Sequence, residues 1–294
     1  MDNLYEHPTI KKFVKKVNNP AFENTQIDVN SRVVFDGGSG SGKTSAVIDY
    51  IIKTPDTYEQ IIIIYQGIPE PLYEALEEKL GKKGKVTFFT ADNYPTCQEL
   101  SAQRENQKKD QYLVIFDDMI AELNTKKDIK KVKEYFIYGR KLFLTTFFLT
   151  QDYHSVPKVI RGQMSHLIIL KLSSDSDLAI ILKNFRLGVT KEQLEEMYSI
   201  ATTGQFNFLK IHTTGTDMDK KFTRNWTDEF RVVKTSNGYG PERTVVLAGP
   251  WLQTVGTEAR APKRKHSEEQ QKKKRQKVEV DDDDDGDDDD EDDD

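Results

Sequence analysis

The sequence has almost no cysteine and no long apolar run, and both shortages exclude whole classes of protein. A single cysteine among 294 residues, Cys97, cannot form an internal disulfide framework or a cysteine-rich zinc site, and it fits a reducing compartment. The five histidines show no ligand spacing. Apolar runs such as Ile61–Tyr65 fall far short of the ~20 residues that a bilayer requires, so we expect no membrane association. The N-terminal sequence MDNLYEHPTIKKFVKK lacks the apolar core of a secretory signal.

Charge of both signs is plentiful but unevenly distributed. Thirteen of the fourteen residues 281–294 are acidic, and removing them changes the net charge from −6 to +7 for residues 1–280. Between residues 257 and 280, nine Lys and Arg stand against four Glu. Segments of dense like charge repel themselves and stay unfolded. We therefore predict a disordered basic segment at 258–280 and a disordered acidic tail at 281–294, after an N-terminal extension (1–20), a globular domain (21–230) and an uncertain extension (231–257).

Short apolar runs alternate with helical patterns, which predicts an α/β fold with a mostly parallel central sheet. The predicted strands are Arg32–Phe35, Gln60–Tyr65, Lys85–Thr90, Tyr112–Phe116, Lys141–Thr150 and His166–Lys171. The predicted helices are Lys43–Lys53, Glu70–Leu80, Tyr94–Lys109, Lys126–Tyr138, Asp175–Phe185 and Thr190–Ala201, the last with Thr190 and Gln193 as a capping box. A terminal hairpin is predicted from Gln205–His212 and Lys221–Trp226, and residues 232–256 are ambiguous.

The most informative stretch is a glycine-rich loop between the first strand and the first long helix. It matches the phosphate-binding pattern G-x-x-x-x-G-K-[ST] with the residues Gly37, Gly38, Ser39, Gly40, Ser41, Gly42, Lys43 and Thr44. Glycines allow the backbone N–H groups to approach phosphate oxygens, helped by the helix N-terminus that follows. Lys43 then reaches the β- and γ-phosphates of ATP, and Thr44 places its hydroxyl on Mg²⁺. A flexible Gly/Ser turn is the alternative.

A strand that ends in two acids supplies the second half of such a site. Asp117 and Asp118 follow the apolar run Leu113–Phe116. Asp117 is the candidate metal carboxylate, and Asp118 is the candidate that orients or deprotonates the attacking water. A helix N-cap after a buried strand is the alternative for this pair.

Three further polar residues are candidates for catalysis. Gln151 ends the strand Lys141–Thr150, at the edge where parallel sheets bind ligands, and it could sense the γ-phosphate or be a satisfied strand-end amide. Arg140 lies at the other end of that strand, and Arg161 follows it in the chain. Either guanidinium could stabilise transition-state charge in a neighbouring subunit, or lie on the surface or contact DNA.

The order of these motifs resembles a known family. GGSGSGKT, LVIFDD, YFIYGRK-LFLTTFFLTQ and VPKVIRGQ are similar to the genome-packaging ATPases of the FtsK–HerA superfamily, and most similar to the poxvirus-type branch shared by giant viruses, virophages and Polinton elements. The resemblance covers roughly residues 20–225. It implies a P-loop NTPase with Lys43, Thr44, Asp117, Asp118 and Gln151 in the nucleotide site. It also implies a homo-oligomeric ring, hexameric or pentameric, that moves double-stranded DNA into a capsid using ATP.

The basic segment contains two clusters at bipartite spacing, within residues 263–277. This pattern predicts binding of a nuclear import receptor, with a DNA-binding arm as the alternative. The acidic tail could shield the basic segment, solubilise the chain or bind a basic partner such as a capsid protein. We expect the protein in the nucleus of a eukaryotic host, in the virion, or in both.

Other functions remain open on the sequence alone. A helicase or recombination ATPase would use the same motifs and would differ by separating DNA strands. A small-molecule or nucleotide kinase is disfavoured by the lack of an arginine-lined lid, and a non-hydrolysing scaffold by the paired acids Asp117 and Asp118.

Overall fold

The strands of the fold are all joined in one sheet. The structure, a computed structural model, describes residues 7–11, 19–103, 111–119, 126–185, 187–217, 220–236 and 241–248. The segments 258–280 and 281–294, the import signal within 263–277, and most of residues 1–20 lie outside these ranges. The strands are β1 (Arg32–Asp36), β2 (Gln60–Tyr65), β3 (Val86–Thr90), β4 (Tyr112–Asp117), β5 (Leu144–Thr150), β6 (His166–Ile169), β7 (Leu209–His212), β8 (Phe222–Arg224), β9 (Asp228–Ser236) and β10 (Pro241–Ala248).

The sheet has a parallel part and an antiparallel part. Its order is β10-β9-β8-β7-β6-β1-β5-β4-β2-β3. The pairs from β6 through β1, β5, β4 and β2 to β3 are all parallel, whereas β7 to β10 are antiparallel additions beyond β6. The predicted mostly parallel α/β fold is therefore confirmed. It places the carboxyl ends of β1, β4 and β5 side by side at one edge, where ligands bind in open parallel sheets.

Helices pack on both faces of the sheet, α6, α8 and α9 in one core cluster and α3 and α4 in the other. The helices in the described part of the chain are α1 (Pro8–Lys11), α2 (Phe22–Thr25), α3 (Lys43–Lys53), α4 (Pro71–Leu80), α5 (Cys97–Ala102), α6 (Lys126–Tyr138), α7 (Lys158–Gln163), α8 (Asp175–Asn184) and α9 (Lys191–Ala201). The predicted capping box at Thr190 and Gln193 is present at the start of α9. In the described part of the chain, no helix combines the length and apolar character needed to cross a bilayer.

Both faces of the sheet are buried, because neighbouring residues of a strand belong to different core clusters. Val34 and Phe116 join a core cluster with residues of α6, α8 and α9, while their neighbours Val33 and Ile115 join a second cluster with α3 and α4. Successive side chains of a strand point to opposite faces. Apolar residues at consecutive positions are therefore what two covered faces require.

Several predicted boundaries differ from the structure for local reasons. The strand predicted at Lys141–Thr150 begins at Leu144, because Gly139–Leu142 forms a 3₁₀ turn and Phe143 has a left-handed backbone with φ of 57°. The helix predicted at Tyr94–Lys109 begins at Cys97, where Thr96 caps it, and ends at Ala102; residues 104–109 lie outside the described ranges. The strand predicted at His166–Lys171 ends at Ile169.

The antiparallel part extends the sheet beyond the predicted hairpin. β7 and β8 pair as expected from the two terminal segments, although β7 begins only at Leu209. Of the ambiguous residues 232–256, residues 232–236 lie in β9 and residues 241–248 lie in β10, and the two strands pair over eight positions. The sheet thus continues past residue 230, into the segment that the sequence left as an uncertain extension.

Candidate active site

The glycine-rich loop lies at the carboxyl end of β1 and leads into α3. Its first amides donate to neighbouring strand ends: Gly37 N to Thr150 O at 3.3 Å and Gly38 N to Lys171 O at 3.0 Å. A Cβ on Gly37 would lie 2.6 Å from Ser41 Oγ, so the tight turn requires glycine there. Gly42 has a φ of 99° as the residue before α3, a conformation that glycine adopts readily. The loop therefore has the fixed, concave backbone that a phosphate chain needs.

Lys43 is held against its own loop. Its Nζ donates to the carbonyl oxygens of Gly37 at 2.8 Å and Gly38 at 3.1 Å. Burial lowers the pKa of the ammonium, and the nearby carboxylates of Asp117 and Asp118 oppose that shift. The side chain is thus positioned over the loop, where an anionic ligand would supply stronger acceptors than two carbonyls.

Asp117 ends β4 beside the loop and is largely buried, with 8% of its surface exposed. The hydroxyl of Tyr73, on α4, donates to Asp117 Oδ2 at 2.6 Å. Burial raises the pKa of this carboxyl to about 6, with Glu70 and Asp118 adding to the shift and the Tyr73 hydrogen bond and Lys43 opposing it. A cation bound nearby would favour the ionised form of this carboxyl.

Asp118 and Gln151 come together across the ends of β4 and β5. Gln151 Nε2 donates to Asp118 Oδ2 at 3.1 Å. Asp118 is exposed and has a left-handed backbone with φ of 52°, which turns it away from the line of β4. Such a conformation is uncommon outside glycine and is often found at functional sites.

These groups share one cavity of about 350 Å³. It is lined by Ser39, Gly40, Gly42, Lys43, Thr44, Ser45, Tyr65, Gln66, Ile68, Pro69, Glu70, Tyr73, Asp117, Asp118, Gln151 and Phe206. The structure thus brings together most of the loop, both acids and Gln151. Gly37, Gly38 and Ser41 shape the loop without lining the cavity.

Eight of the lining residues were not found from the sequence, and three of them, Glu70, Tyr73 and Phe206, bear on the chemistry of the site. Glu70 precedes Pro71 at the start of α4 and looks like an ordinary helix boundary. Tyr73 looks like a core residue of the same helix, which it also is, with 1% of its surface exposed. Phe206 falls in the strand predicted at Gln205–His212, whereas the structure places it in the turn before β7, which begins at Leu209.

The two candidate arginines lie away from this cavity. Arg140 is exposed in the 3₁₀ turn before β5, at the opposite end of that strand from Gln151. Arg161 is on α7, with its Cζ 5.5 Å from the centroid of the Tyr153 ring. Neither lines the cavity of its own chain, so a role for either at a nucleotide would be at that of a neighbouring subunit.

The oxygen ligands at this site fit a magnesium ion bound together with phosphates. Within the described ranges, no cluster of three or more His, Cys, Asp and Glu side chains could hold a metal by itself. The Asp117 carboxylate and the Thr44 hydroxyl both line the cavity, and both are hard oxygen donors. Mg²⁺ is commonly held by one or two such groups plus substrate phosphates, rather than by a complete protein cage.

A further buried acid precedes the loop. Asp36 ends β1 and is fully buried, and neither of its carboxyl oxygens has a hydrogen-bond partner in the structure. Burial raises its pKa to about 8; Asp177 and Asp152 add to this shift, and Lys43 opposes it. The surroundings of Asp36, at the start of the phosphate loop, therefore favour its neutral form.

This fold, with a phosphate loop after β1, an acid at the end of β4 and an amide at the end of β5, defines a P-loop NTPase. Residues 21–214 match the family model described as "Poxvirus A32 protein". The chain belongs to the poxvirus A32 protein family, and the poxvirus-type resemblance of its motifs is confirmed.

Two viral relatives each match about three-fifths of the chain. It is 27% identical over 198 residues to the DNA packaging protein OPG160 of Variola virus, covering 61% of this chain and 67% of that protein. It is 25% identical over 193 residues to the DNA packaging protein OPG160 of Monkeypox virus, covering 60% and 59%. The chain thus spans about three-fifths to two-thirds of the length of these relatives.

Among solved structures, the genome packaging NTPase B204 of Sulfolobus turreted icosahedral virus 2, in complex with sulfate, is 17% identical with a TM-score of 0.49. The match covers 68% of this chain and 97% of that one. The KaiC-like protein PH0186 of Pyrococcus horikoshii OT3 is 12% identical with a TM-score of 0.43, covering 80% and 98%.

Proposed function

We propose that this chain hydrolyses ATP to ADP and phosphate, and uses the energy to move double-stranded DNA into the capsid of a virus or virus-like element. The observation that carries the ATPase proposal is the convergence of Lys43, Asp117, Asp118 and Gln151 on one cavity beside the phosphate loop. The DNA-packaging part is supported by membership of the poxvirus A32 family and by relatives that are named DNA packaging proteins.

The phosphate loop binds and orients the triphosphate. Backbone N–H groups of the loop and the N-terminus of α3 face the α- and β-phosphates. Lys43 exchanges its two carbonyl acceptors for β- and γ-phosphate oxygens. Because the ammonium is already held over the loop, little rearrangement is required when ATP binds.

The acids and the amide act at the γ-phosphate. Thr44 and Asp117 would hold Mg²⁺, which supplies neutralising charge for the phosphate oxygens when it is bound. Asp118 orients or deprotonates the attacking water, and Gln151 holds the Asp118 carboxylate in place. Because Gln151 contacts Asp118, the end of β5 responds to whether a γ-phosphate is bound.

The active form is a homo-oligomeric ring, a hexamer or pentamer, around duplex DNA. Arg140 or Arg161 acts in trans, because both lie outside the cavity of their own chain. A guanidinium from a neighbouring subunit stabilises transition-state charge and makes hydrolysis depend on assembly. Capsid proteins are further partners of such a ring.

The central test is the ATPase rate with and without duplex DNA, with oligomer size measured in the same samples. We expect DNA to stimulate hydrolysis in an assembled ring. Lys43→Ala should reduce turnover by at least about 10²-fold, since removing one preorganised donor costs about 3–4 kcal/mol in the transition state. Lys53→Ala, at the exposed end of the same helix, is the matched control. Wild-type turnover in Lys43→Ala would contradict the proposal, and separation of the strands would favour a helicase.

The charged segments direct the protein to its place of action. Residues 263–277 bind a nuclear import receptor, and the acidic tail 281–294 shields the basic segment from DNA. Deleting 281–294 should tighten duplex binding at low salt, with an effect that shrinks as salt rises. Deleting 258–294 should abolish nuclear accumulation of a tagged protein and leave basal ATPase unchanged. Unchanged DNA affinity would leave the tail as a solubilising segment, and persistent nuclear accumulation would refute the import signal.

A further inference from the structure

Phe206 lines the cavity and lies directly against the phosphate loop. It is 53% exposed, although its neighbour Phe208 is buried and packs on Trp226. A Cβ on Gly42 would lie 2.4 Å from Phe206 Cδ1, so the ring is in contact with the loop backbone itself. One part of the ring therefore contacts the loop, while about half of the side chain's surface is exposed beside the phosphate site.

The turn that presents this ring is held in an unfavourable conformation by specific hydrogen bonds. Phe206 has a left-handed backbone with φ of 62°, which is uncommon for a bulky residue and is maintained only where the surroundings enforce it. Asn207 Nδ2 donates to Thr203 O at 2.7 Å, and Asn225 Nδ2 donates to Asn207 Oδ1 at 3.1 Å. Burial of the ring does not explain this strain, because the ring is not buried.

The order of the strands gives the direction in which a nucleotide would lie. Asp117, Asp118 and Gln151 lie at the ends of β4 and β5, on one side of β1. Phe206 precedes β7, on the other side of β1, beyond β6. If the γ-phosphate faces the acids and the amide, the nucleoside leaves the loop toward the turn that bears Phe206.

We propose that Phe206 stacks on the nucleobase of the bound nucleotide. The proposal rests on the proposed function, because it requires a nucleoside triphosphate on the loop. Stacking uses the face that every base has, so the ring contributes affinity for purine nucleotides in general, rather than selection of adenine over guanine. It contributes nothing to a ligand that consists of phosphates alone.

The test compares nucleotides with an inorganic ligand that has three linked phosphates but no nucleoside. Binding of ATP, GTP and inorganic tripolyphosphate, each with Mg²⁺, is measured by calorimetry for the wild type and for Phe206→Ala, Phe206→Leu and Phe206→Trp. We expect Phe206→Ala to weaken ATP and GTP about 10-fold or more, and tripolyphosphate by less than about 2-fold. Phe206→Trp should bind ATP as well as the wild type does. Phe206→Leu retains an apolar contact with Gly42 but should resemble Phe206→Ala for ATP.

The outcomes distinguish a failure of base stacking from a failure of nucleotide binding at the phosphate loop. Equal weakening of ATP and tripolyphosphate in Phe206→Ala would mean that the ring only supports the loop, and would overturn base stacking. Unchanged ATP affinity would also overturn it. Failure of the wild type to bind either ligand would contradict the phosphate site itself. Ile52→Ala, an exposed apolar residue on the outer part of α3, is the control and should bind both ligands normally.

Discussion

The hydroxyl of Tyr73 donates a 2.6 Å hydrogen bond to Oδ2 of Asp117, which connects α4 to the acid at the end of β4. Asp117 lies in an otherwise desolvating environment that favours its neutral form. A hydrogen bond to the carboxylate favours the charged form that a cation requires. We therefore expect Tyr73 to act as a positioning residue that favours the ionised form of Asp117, the proposed metal carboxylate, before nucleotide binds.

Tyr73→Phe should move the pH dependence of the site in a defined direction. Burial raises the pKa of Asp117 to about 6 while the Tyr73 hydrogen bond opposes the shift, so removing the hydroxyl should raise that pKa further. The pH at which Mg²⁺-dependent ATP binding is lost on acidification should therefore increase. The ring itself remains and continues to pack near Phe88, with centroids 6.2 Å apart.

The measurement is a Mg²⁺ titration of ATP affinity between pH 5 and 8, with the pH profile of turnover as a second readout. Tyr138→Phe, on a half-exposed tyrosine at the end of α6, is the control and should match the wild type. An acid limb at the same pH in Tyr73→Phe and the wild type would contradict a positioning role.

The two adjacent acids should fail in different ways. Asp117→Asn should weaken the dependence of nucleotide affinity on Mg²⁺, because it replaces the carboxylate that we propose to hold the metal. Asp118→Asn should preserve that dependence and lower turnover by about 10²- to 10⁴-fold, the usual contribution of a positioned general base. Titration of Mg²⁺ against ATP affinity, followed by single-turnover kinetics, distinguishes them.

Glu70 is the alternative to Asp118 as the catalytic carboxylate. It lines the same cavity, and its charge acts on both Lys43 and Asp117. If Glu70→Gln abolishes turnover while Asp118→Asn retains it, the catalytic carboxylate is on the α4 side of the cavity. Asp92→Asn, an exposed acid on a loop, is the control for loss of charge alone.

Mixed rings should reveal which arginine acts between subunits. Arg140→Ala and Arg161→Ala are each mixed with Lys43→Ala. In a mixed ring, a Lys43→Ala subunit can supply its arginine to an intact loop next door, so activity should partly return for the arginine that acts in trans. A mixture of Lys43→Ala with Asp118→Asn is the matched control, since two defects of the same cavity leave no complete site. Absence of recovery for both arginines, in rings shown to be mixed, would count against catalysis between subunits.

Sequence and structure agree where chemistry depends on strand ends. The loop Gly37–Thr44, the pair Asp117–Asp118 and the amide Gln151 each follow an apolar run, and in a parallel sheet such ends meet at one edge. Their proximity could therefore be predicted from the sequence, without any measured distance. The boundary of β5 was less predictable, because Leu142 and Phe143 continue the apolar pattern while the backbone turns.

The residues that sequence reasoning missed depend on packing between distant elements. Tyr73 is 44 positions from Asp117, and only the docking of α4 on the sheet brings its hydroxyl to the carboxylate. Phe206 reaches Gly42 through a turn fixed by Asn207 and Asn225. Nothing in the local spacing of these residues distinguishes them from core or loop residues elsewhere.

Asp36 should make the free energy of unfolding depend on pH in the direction opposite to most paired acids. Its pKa is about 8 in the fold, against an ordinary value of 3.8, so the folded chain binds more protons than the unfolded chain between these values. Its contribution to stability is then fully present below about pH 4 and is lost as pH rises through about 8. The slope from this one group is at most about 1.4 kcal/mol per pH unit.

Asp36→Asn should remove that slope, because the amide has nearly the same shape and does not ionise. We expect the variant to gain stability relative to the wild type as pH rises from 5 to 9, measured by urea unfolding at each pH. Asp92→Asn is again the control and should parallel the wild type.

The slope with pH is more informative than the absolute stability of Asp36→Asn, because Asn brings two N–H donors into a site without partners. An NMR titration of the Asp36 carboxyl in the wild type provides a test that does not rely on any variant. Parallel stability curves for Asp36→Asn and the wild type, with the carboxyl titrating near pH 4, would show that Asp36 is ionised behind the phosphate loop.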